Sequence, residues 1–347
     1  MSQVQFLDDF STLGFLLKRW LSGDLALPGI DRAMAASYAA NHFFTPYMQR
    51  NAIGAIANRF LVREELEKWL GNYMPGLGEG FGRRKVGIVM AGNIPLVGFH
   101  DFLSVMAVGA DAVVKLSSRD AFLLPAVFSV LCSVDSGWRK RAEFIVSDGR
   151  SGEYLQAFAD TDAMIATGSD QTKEAVSAVY GDKPLLARGS RFSYAVIDDR
   201  NKGNLNGLAE DVFLYFGLGC RSVSRFFVSR VTGLSALLHE LANGRELVAG
   251  NEAYMNSYRR LKAICEMEGR EFEDGGFFIL APVEEVFLPM GLLGYAYYDS
   301  DRELELFETE KIDSIQKKYR TFGLAQYPSV TEYADNVDTV NFLIESL

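Results

Sequence analysis

The chain has 347 residues, 48% of them hydrophobic and 23% charged, with a formal net charge of −10 and a pI near 5.0. This length allows two or three domains with sizeable cores, and the composition is ordinary for a soluble globular protein. The acidic balance excludes a general nucleic-acid-binding surface, because such a surface is basic.

Cysteine usage and apolar runs indicate where the protein works. Cys132, Cys220 and Cys265 are too widely spaced for a disulfide framework or a zinc cluster, and they fit a reducing compartment. The first residues lack the basic and apolar regions of a signal peptide, and no apolar run approaches the roughly 20 residues of a membrane span. We therefore expect a cytoplasmic protein without a metal site or a membrane span.

Residues 1–84 are predicted to form a helical segment. Apolar side chains recur at helical spacing from Phe6 to Trp20, and further periodic runs cover 34–44 and 51–70. A glycine-rich stretch, 71–84, is the predicted linker. We expect the helices to pack on the domain that follows.

From residue 85 onward, short apolar strands alternate with helices. The predicted strands are 86–90, 112–115, 142–147, 163–166, 184–187 and 193–197. Fully apolar strands that are regularly separated by helices predict a parallel sheet covered on both faces. Ligands of such a sheet bind beyond the carboxyl ends of its strands.

Three predicted turns at that edge carry candidate ligand-binding residues: Asn93, the stretch Lys115-Leu-Ser-Ser118, and Thr167-Gly168-Ser169. Lys115 could reach a ribose or phosphate, or it could be an ordinary exposed lysine. Gly168 and Ser169 could hold a pyrophosphate on free helix amides, or they could simply cap a helix. No Gly-x-Gly-x-x-Gly follows the first strand, so the common dinucleotide fingerprint is missing.

Residues 203–325 are predicted to form a second α/β domain that begins with a helix over 203–225. Gly217 and Gly219 precede Cys220, and glycines let a backbone approach a substrate closely. Polar residues follow Cys220, and they could open a helix whose free amides would lower the thiol pKa and stabilise an oxyanion. A buried structural cysteine is the alternative that these residues leave open.

The order of these features resembles the aldehyde dehydrogenase superfamily. Within it, Ala91-Gly-Asn-Ile-Pro95, Lys115-Leu-Ser-Ser118 and Tyr215-Phe-Gly-Leu-Gly-Cys-Arg-Ser-Val-Ser224 resemble the LuxC family of acyl-CoA reductases. The resemblance covers roughly residues 85–347. It implies an aldehyde dehydrogenase-like α/β fold: a parallel-sheet NAD(P)-binding domain over 85–202, a catalytic domain over 203–325, and a tail over 326–347. That tail would serve oligomerisation or return to the first domain.

The resemblance also implies an oxidoreductase of the CoA-acylating aldehyde dehydrogenase type. Cys220 would attack the thioester of an acyl-CoA, coenzyme A would leave, and nicotinamide hydride would reduce the acyl-cysteine to an aldehyde. Asn93 and the Cys220 backbone N–H would stabilise the tetrahedral oxyanion. The implied cofactor-binding residues are Lys115, Ser118, Thr167, Gly168, Ser169 and Gly189.

Two positions depart from the pattern of aldehyde-oxidising relatives. Arg188 aligns with the glutamate that activates the hydrolytic water, and a guanidinium cannot act as a general base, which favours a reductase. Ser118 stands where NAD-specific members often carry a glutamate that repels a 2′-phosphate. We therefore predict NADPH as the cofactor, with NADH as the second possibility.

Two alternatives remain beside a fatty acyl-CoA reductase. One is a reductase of a small acyl-CoA or another activated acyl group, and the other is a catalytically silent nucleotide-binding scaffold subunit. The resemblance further implies a homo-oligomer and a protein partner that donates the acyl group. His100, just past the Asn93 turn, is predicted to pack rather than to carry a proton.

Overall fold

The computed structural model describes residues 2–73, 77, 84–147 and 156–347. The chain divides into two compact units, one formed by Met1–Gly189 together with Pro328–Leu347 and the other by Ser190–Tyr327. The boundary expected between residues 202 and 203 thus lies earlier, because the strand Phe192–Ile197 pairs in the sheet of the second unit. The predicted linker over 71–84 lies largely outside the described residues.

The described residues of the first unit form a five-stranded sheet and helices. The helices precede the sheet in sequence, lie between its strands, and follow it at the C-terminus. Its strands are β1 (Lys85–Val89), β2 (Asp111–Ser117), β3 (Ala142–Ser147), β4 (Ala163–Thr167) and β5 (Leu185–Arg188). Its helices are α1 (Gln3–Ser22), α2 (Pro28–Ala40), α3 (Pro46–Ala55), α4 (Arg63–Gly71), α5 (Phe99–Ala107), α6 (Leu123–Val134), α7 (Asp170–Tyr180) and the C-terminal helix Thr339–Ser346.

All strand pairs of this sheet are parallel, and the strand order is β3-β2-β1-β4-β5. The chain therefore runs outward from β1 in one direction and then, from β4, in the other. The segments that follow β1, β2, β4 and β5 emerge at one edge of the sheet. Beside β1, where the order reverses, such a sheet leaves a crevice for a ligand.

The N-terminal helices share one apolar core with this sheet. Phe10 of α1 is fully buried, and its ring meets the Trp138 ring edge-on at a centroid distance of 5.2 Å. The Trp138 indole N–H donates to Asp9 Oδ2 at 2.9 Å, which satisfies the indole N–H that this packing buries. The helical segment is therefore an integral layer of the first unit.

A chain of hydrogen bonds joins the C-terminal segment to the helices of the same unit. Trp69 Nε1 donates to the Tyr333 hydroxyl at 2.6 Å, and the Tyr73 hydroxyl lies 2.7 Å from it. Tyr73 also donates to Asp338 Oδ2 at 2.6 Å. His100 packs edge-on against Tyr333, with Nε2 at 2.7 Å from a backbone carbonyl of this segment. His100 is thus a packing residue.

The second unit is built on a six-stranded sheet. Its strands are β6 (Phe192–Ile197), β7 (Val223–Ser229), β8 (Glu273–Asp274), β9 (Ile279–Ala281), β10 (Leu292–Tyr298) and β11 (Ile315–Tyr319). Its helices are α8 (Leu208–Phe213), α9 (Ser235–Ala242), α10 (Arg245–Val248), α11 (Glu252–Glu268) and α12 (Asp301–Lys311). The strand order is β11-β6-β7-β10-β9-β8, parallel except for the antiparallel pair β8 and β9. Among the described residues, no helix combines the length and the apolar character needed to cross a membrane.

Candidate active site

The chain approaches Cys220 through an unusual backbone conformation. Helix α8 ends at Phe213, and Tyr215, Phe216 and Gly217 then adopt positive φ angles of 59°, 58° and 71°. Two large L-residues in succession rarely take this left-handed conformation, and such strain accumulates at functional sites. The predicted continuous helix over 203–225 is therefore wrong, because α8 is short and a strained turn replaces its second half.

Cys220 itself lies in a tight turn that leads into a strand. The backbone N–H of Ser222 donates to the carbonyl of Gly219 at 3.0 Å, and β7 begins at Val223. The predicted helix after Cys220 is wrong, because the β-branched and aromatic residues of β7 pair with β6 and β10. Helix amides therefore do not act on the thiol.

Side chains of the second unit hold this turn in place. Ser193 Oγ donates to the carbonyl of Cys220 at 2.9 Å. Gln326 Nε2 donates both to Ser222 Oγ at 3.1 Å and to the carbonyl of Asp211 at 3.2 Å. Sequence patterns did not reveal these supports, because the residues lie up to about a hundred positions from the cysteine.

Asp211, on α8, anchors the segment that contains Gln326. Its two carboxylate oxygens accept the backbone N–H groups of Gly323 at 2.7 Å and Ala325 at 2.8 Å. The carboxyl group is buried, and burial raises its pKa to about 6 against the opposing effect of the two backbone bonds. The cysteine turn thus has a buried polar scaffold behind it.

The three cysteines differ in exposure. Cys132 and Cys265 are buried, whereas Cys220 is half-buried, and all three are free thiols. Burial raises the pKa of the Cys132 thiol, which disfavours its reactive thiolate form. Cys220 is therefore the most exposed of the three cysteines.

In the first unit, the candidate residues lie at the edge where the parallel strands end. Asn93 is half-buried in the turn after β1, and Lys115 is half-buried near the end of β2, paired in register with Val89. Ser118 follows β2 and is exposed. Sheet topology thus brings these three predicted residues to one edge.

The remaining predicted cofactor residues follow β4 and β5. Thr167 ends β4, and Ser169 caps α7 by accepting the backbone N–H of Thr172 at 3.3 Å. A Cβ atom added to Gly189 would lie 2.1 Å from Asp170 Oδ1, so this position requires glycine unless Asp170 moves. The backbone N–H of Gly168 donates to the carbonyl of Arg188, just before Gly189, at 3.2 Å.

Arg188 is buried at 2% exposure inside the first unit. Its Nη1 lies 2.8 and 2.9 Å from the two carboxylate oxygens of Asp101, and its Nη2 donates to Thr339 Oγ1 at 2.7 Å. Asp101, an isolated acid in the apolar helix α5, was the one sequence signal of this pair. The guanidinium is thus committed to a structural ion pair.

Solved structures define the fold class. An oxidoreductase from Marinobacter aquaeolei superposes with a TM-score of 0.65 at 14% identity, over 94% of this chain and 75% of that one. The NAD⁺ complex of an aldehyde dehydrogenase from Bacillus cereus gives a TM-score of 0.61 at 16% identity, over 88% and 69%. An aldehyde dehydrogenase from Physcomitrella patens, determined with the product succinate, gives 0.65 at 11% identity, over 98% and 84%. The fold is that of the aldehyde dehydrogenases.

A comparison with family models assigns the chain to a narrower group than the fold does. A model of the LuxC acyl-CoA reductases matches residues 18–247, well over half of the chain and including the Cys220 turn. The chain belongs to this family and is an oxidoreductase. A comparison with curated proteins gives no significant match.

Proposed function

We propose that the protein reduces a fatty acyl-CoA to an aldehyde with NADPH, through a thioester on Cys220. The observation that carries this proposal is the exposure and backbone setting of Cys220, which lies within the residues that match the family. It is the half-buried one of three free cysteines, and a strained left-handed turn leads into it.

The proposed chemistry has two stages. The Cys220 thiolate attacks the thioester carbonyl carbon, a new C–S bond forms, and the bond to coenzyme A breaks so that coenzyme A leaves as a thiol. NADPH, when bound, supplies the hydride for the acyl-cysteine. The C–S bond to Cys220 then breaks and the aldehyde is released. The sum is acyl-CoA, NADPH and a proton giving aldehyde, coenzyme A and NADP⁺.

Asn93 is the proposed side-chain donor to the oxyanion, together with the backbone N–H of Cys220. A donor of this kind acts where charge develops, and its removal costs about a hundredfold to a thousandfold in kcat at a comparable acyl-transfer site. Asn93→Ala is therefore expected to slow formation of the acyl-cysteine by a factor in that range.

The edge of the first sheet fits a nicotinamide dinucleotide. Helix α7 begins there behind Ser169, and its first amides suit a pyrophosphate. Side chains of α7 pack closely on Gly168 and Gly189, positions that leave no room for a larger residue, and Lys115 supplies a cation near the end of β2. The Bacillus cereus aldehyde dehydrogenase of similar fold was solved with NAD⁺. These features support Lys115, Ser118, Thr167, Gly168, Ser169 and Gly189 as cofactor-binding residues.

Arg188 supports reduction over hydrolysis. A hydrolytic relative needs a base that activates water, and the side chain that aligns with this base here is a guanidinium paired with Asp101. Without that base, the acyl-cysteine is left to exchange with coenzyme A or to accept hydride.

The proposal also includes the cellular compartment, the oligomeric state and a protein partner of the enzyme. Three free thiols fit a reducing, cytoplasmic compartment. The family resemblance supports a homo-oligomer and an acyl-donating protein partner. Light scattering of the purified protein tests the first, and acyl transfer from an isolated partner tests the second.

The central experiment uses intact-mass spectrometry of the full chain incubated with myristoyl-CoA. We expect one acyl adduct on the wild type and on Cys132→Ala, and none on Cys220→Ala. Adding NADPH should discharge the adduct and release the aldehyde.

A series from acetyl-CoA to palmitoyl-CoA then separates the alternatives. Fastest NADPH oxidation with acetyl-CoA would favour a small-acyl reductase. A folded wild type that forms no adduct with any member of the series would favour the silent scaffold.

A further inference from the structure

A buried carboxyl group links the two loops that follow β1 and β2. Asp120 is 6% exposed, and its Oδ2 accepts the backbone N–H of Leu96 at 2.7 Å. Its other oxygen, Oδ1, is buried and has no hydrogen-bond partner in the described part of the chain. Burial raises the pKa of this carboxyl group to about 7, which the single backbone bond only partly opposes.

The partner of this bond is a strained residue. Leu96 has a φ of 59°, a left-handed conformation that a branched apolar residue adopts only where its surroundings hold it. The bond to Asp120 satisfies the backbone N–H of this buried residue. Asp120 is thus a main support of the turn after β1.

A second contact joins the same two loops on the other side of Asn93. A Cβ atom added to Gly92 would lie 2.3 Å from Ser117 Oγ, so the Ser117 side chain packs directly on the Gly92 backbone. Gly92 and Leu96 flank Asn93 in one loop. Ser117 and Asp120 flank Ser118 in the other.

We propose that Asp120 is a positioning residue that couples the cofactor-binding loop after β2 to the turn that presents Asn93. This inference rests on the proposed function, because the roles of Ser118 and Asn93 come from it. Occupation of the β2 loop by the dinucleotide then restrains the turn, so that Asn93 is held more firmly in place when the cofactor is bound.

Hydrogen-exchange mass spectrometry of the full chain with and without NADP⁺ tests the coupling apart from turnover. In the wild type, NADP⁺ is expected to slow exchange in the peptide spanning 91–98 at least tenfold. In Asp120→Ala this protection should be lost, while NADP⁺ still protects the peptide that contains Gly168 and Ser169. Asp120→Asn keeps an acceptor for Leu96 and should restore the protection of 91–98.

Asp162→Ala is the matched control. Asp162 also accepts a backbone N–H bond, from Lys85 at 2.8 Å, but it precedes β4 and lies at the opposite edge of the sheet. This variant should leave the effect of NADP⁺ on 91–98 unchanged.

The kinetic counterpart is acyl-adduct formation with NADP⁺ present, which should fall at least tenfold in Asp120→Ala with little change in the myristoyl-CoA concentration at half-saturation. Equal protection of 91–98 in the wild type and in Asp120→Ala would overturn the inference, as would absence of that protection in a wild type that binds NADP⁺. A wild type that neither binds NADP⁺ nor forms an adduct would instead overturn the proposed function.

Discussion

Arg188 and Asp101 form a buried ion pair in which each charge is compensated by the other. Both side chains are almost out of contact with water, and the guanidinium also bonds Thr339 of the C-terminal helix. Withdrawing two charges from water is costly, so such a pair adds little stability over an apolar pair, yet losing one partner strands the other charge.

Arg188→Met is therefore expected to lower the free energy of unfolding by about 3–5 kcal/mol. Urea denaturation measures it, and the double variant Arg188→Met with Asp101→Leu should recover a large part of the loss. The control is Arg84→Met, which breaks the exposed ion pair with Asp162 and should cost less than about 1 kcal/mol. Equal losses at Arg84 and Arg188 would contradict the argument.

Ser118 bears on the choice of cofactor because of its exposed position after β2. Ser118→Glu places a carboxylate where the proposal puts the 2′-phosphate of NADPH, and like charges repel. We expect KM for NADPH to rise about tenfold or more, while KM for NADH changes little. Steady-state kinetics with both cofactors measure this, and Ser118→Ala is the uncharged control. Unchanged NADPH kinetics in Ser118→Glu would remove Ser118 from the cofactor site.

The aromatic hydrogen-bond chain at Tyr333 fastens the C-terminal segment to helix α4. Tyr333→Phe would leave the indole N–H of Trp69 buried without its acceptor. An unsatisfied buried donor costs about 1–3 kcal/mol, and thermal and urea unfolding should report a loss of this size. Tyr38→Phe removes the hydroxyl of a tyrosine that is 41% exposed and should change stability little. A Tyr333→Phe protein as stable as the wild type would show that the hydrogen bonds of the Tyr333 hydroxyl do not contribute to the free energy of unfolding.

Asp211 makes the stability of the second unit depend on pH. Its folded pKa of about 6 lies above its ordinary value of 3.8, so the folded state binds the proton more tightly than the unfolded state does. Its contribution to stability is complete below pH 3.8 and is lost as the pH rises through about 6. The stability of the wild type relative to Asp211→Asn should therefore fall by about 2–3 kcal/mol between pH 4 and pH 7.

Urea unfolding of the wild type and Asp211→Asn across that pH range measures the difference between their free energies of unfolding. Titration of the other groups affects both proteins alike and cancels in this difference. If this difference does not change with pH, the two backbone N–H bonds hold the Asp211 pKa at its ordinary value.

The elements that could be predicted are those whose signal is local. Strands β1, β2 and β4 are continuous apolar runs, and their alternation with helices indicated a parallel sheet with its ligand edge after β1. The Cys220 turn was misread because two of its left-handed residues, Tyr215 and Phe216, carry no turn signature. Phe216 is held there by burial and by its ring contact with Tyr254, and both arise only in the folded unit. Membership of β6 in the second sheet was equally invisible, because strand pairing is not local.

The path of the chain has a consequence for stability. The first unit is assembled from Met1–Gly189 and Pro328–Leu347, with the whole second unit inserted between them in sequence. Val340 and Leu343 of the C-terminal helix are fully buried in the same core cluster as Phe10 and Trp69. The last residues therefore stabilise the unit that contains the first residues and not the unit that precedes them in sequence.

Leu343→Ala tests this division. Truncating a fully buried leucine costs about 2–5 kcal/mol through lost burial and the cavity that remains. If the two units open separately, hydrogen exchange should accelerate in the peptides of β1 and β2 and stay unchanged in those of β7 and β10. Leu241→Ala, which truncates a fully buried leucine of α9, should produce the reverse pattern. Acceleration of all four strands by either variant would mean that the chain unfolds as one cooperative body, so that the inserted unit draws its stability from both terminal segments.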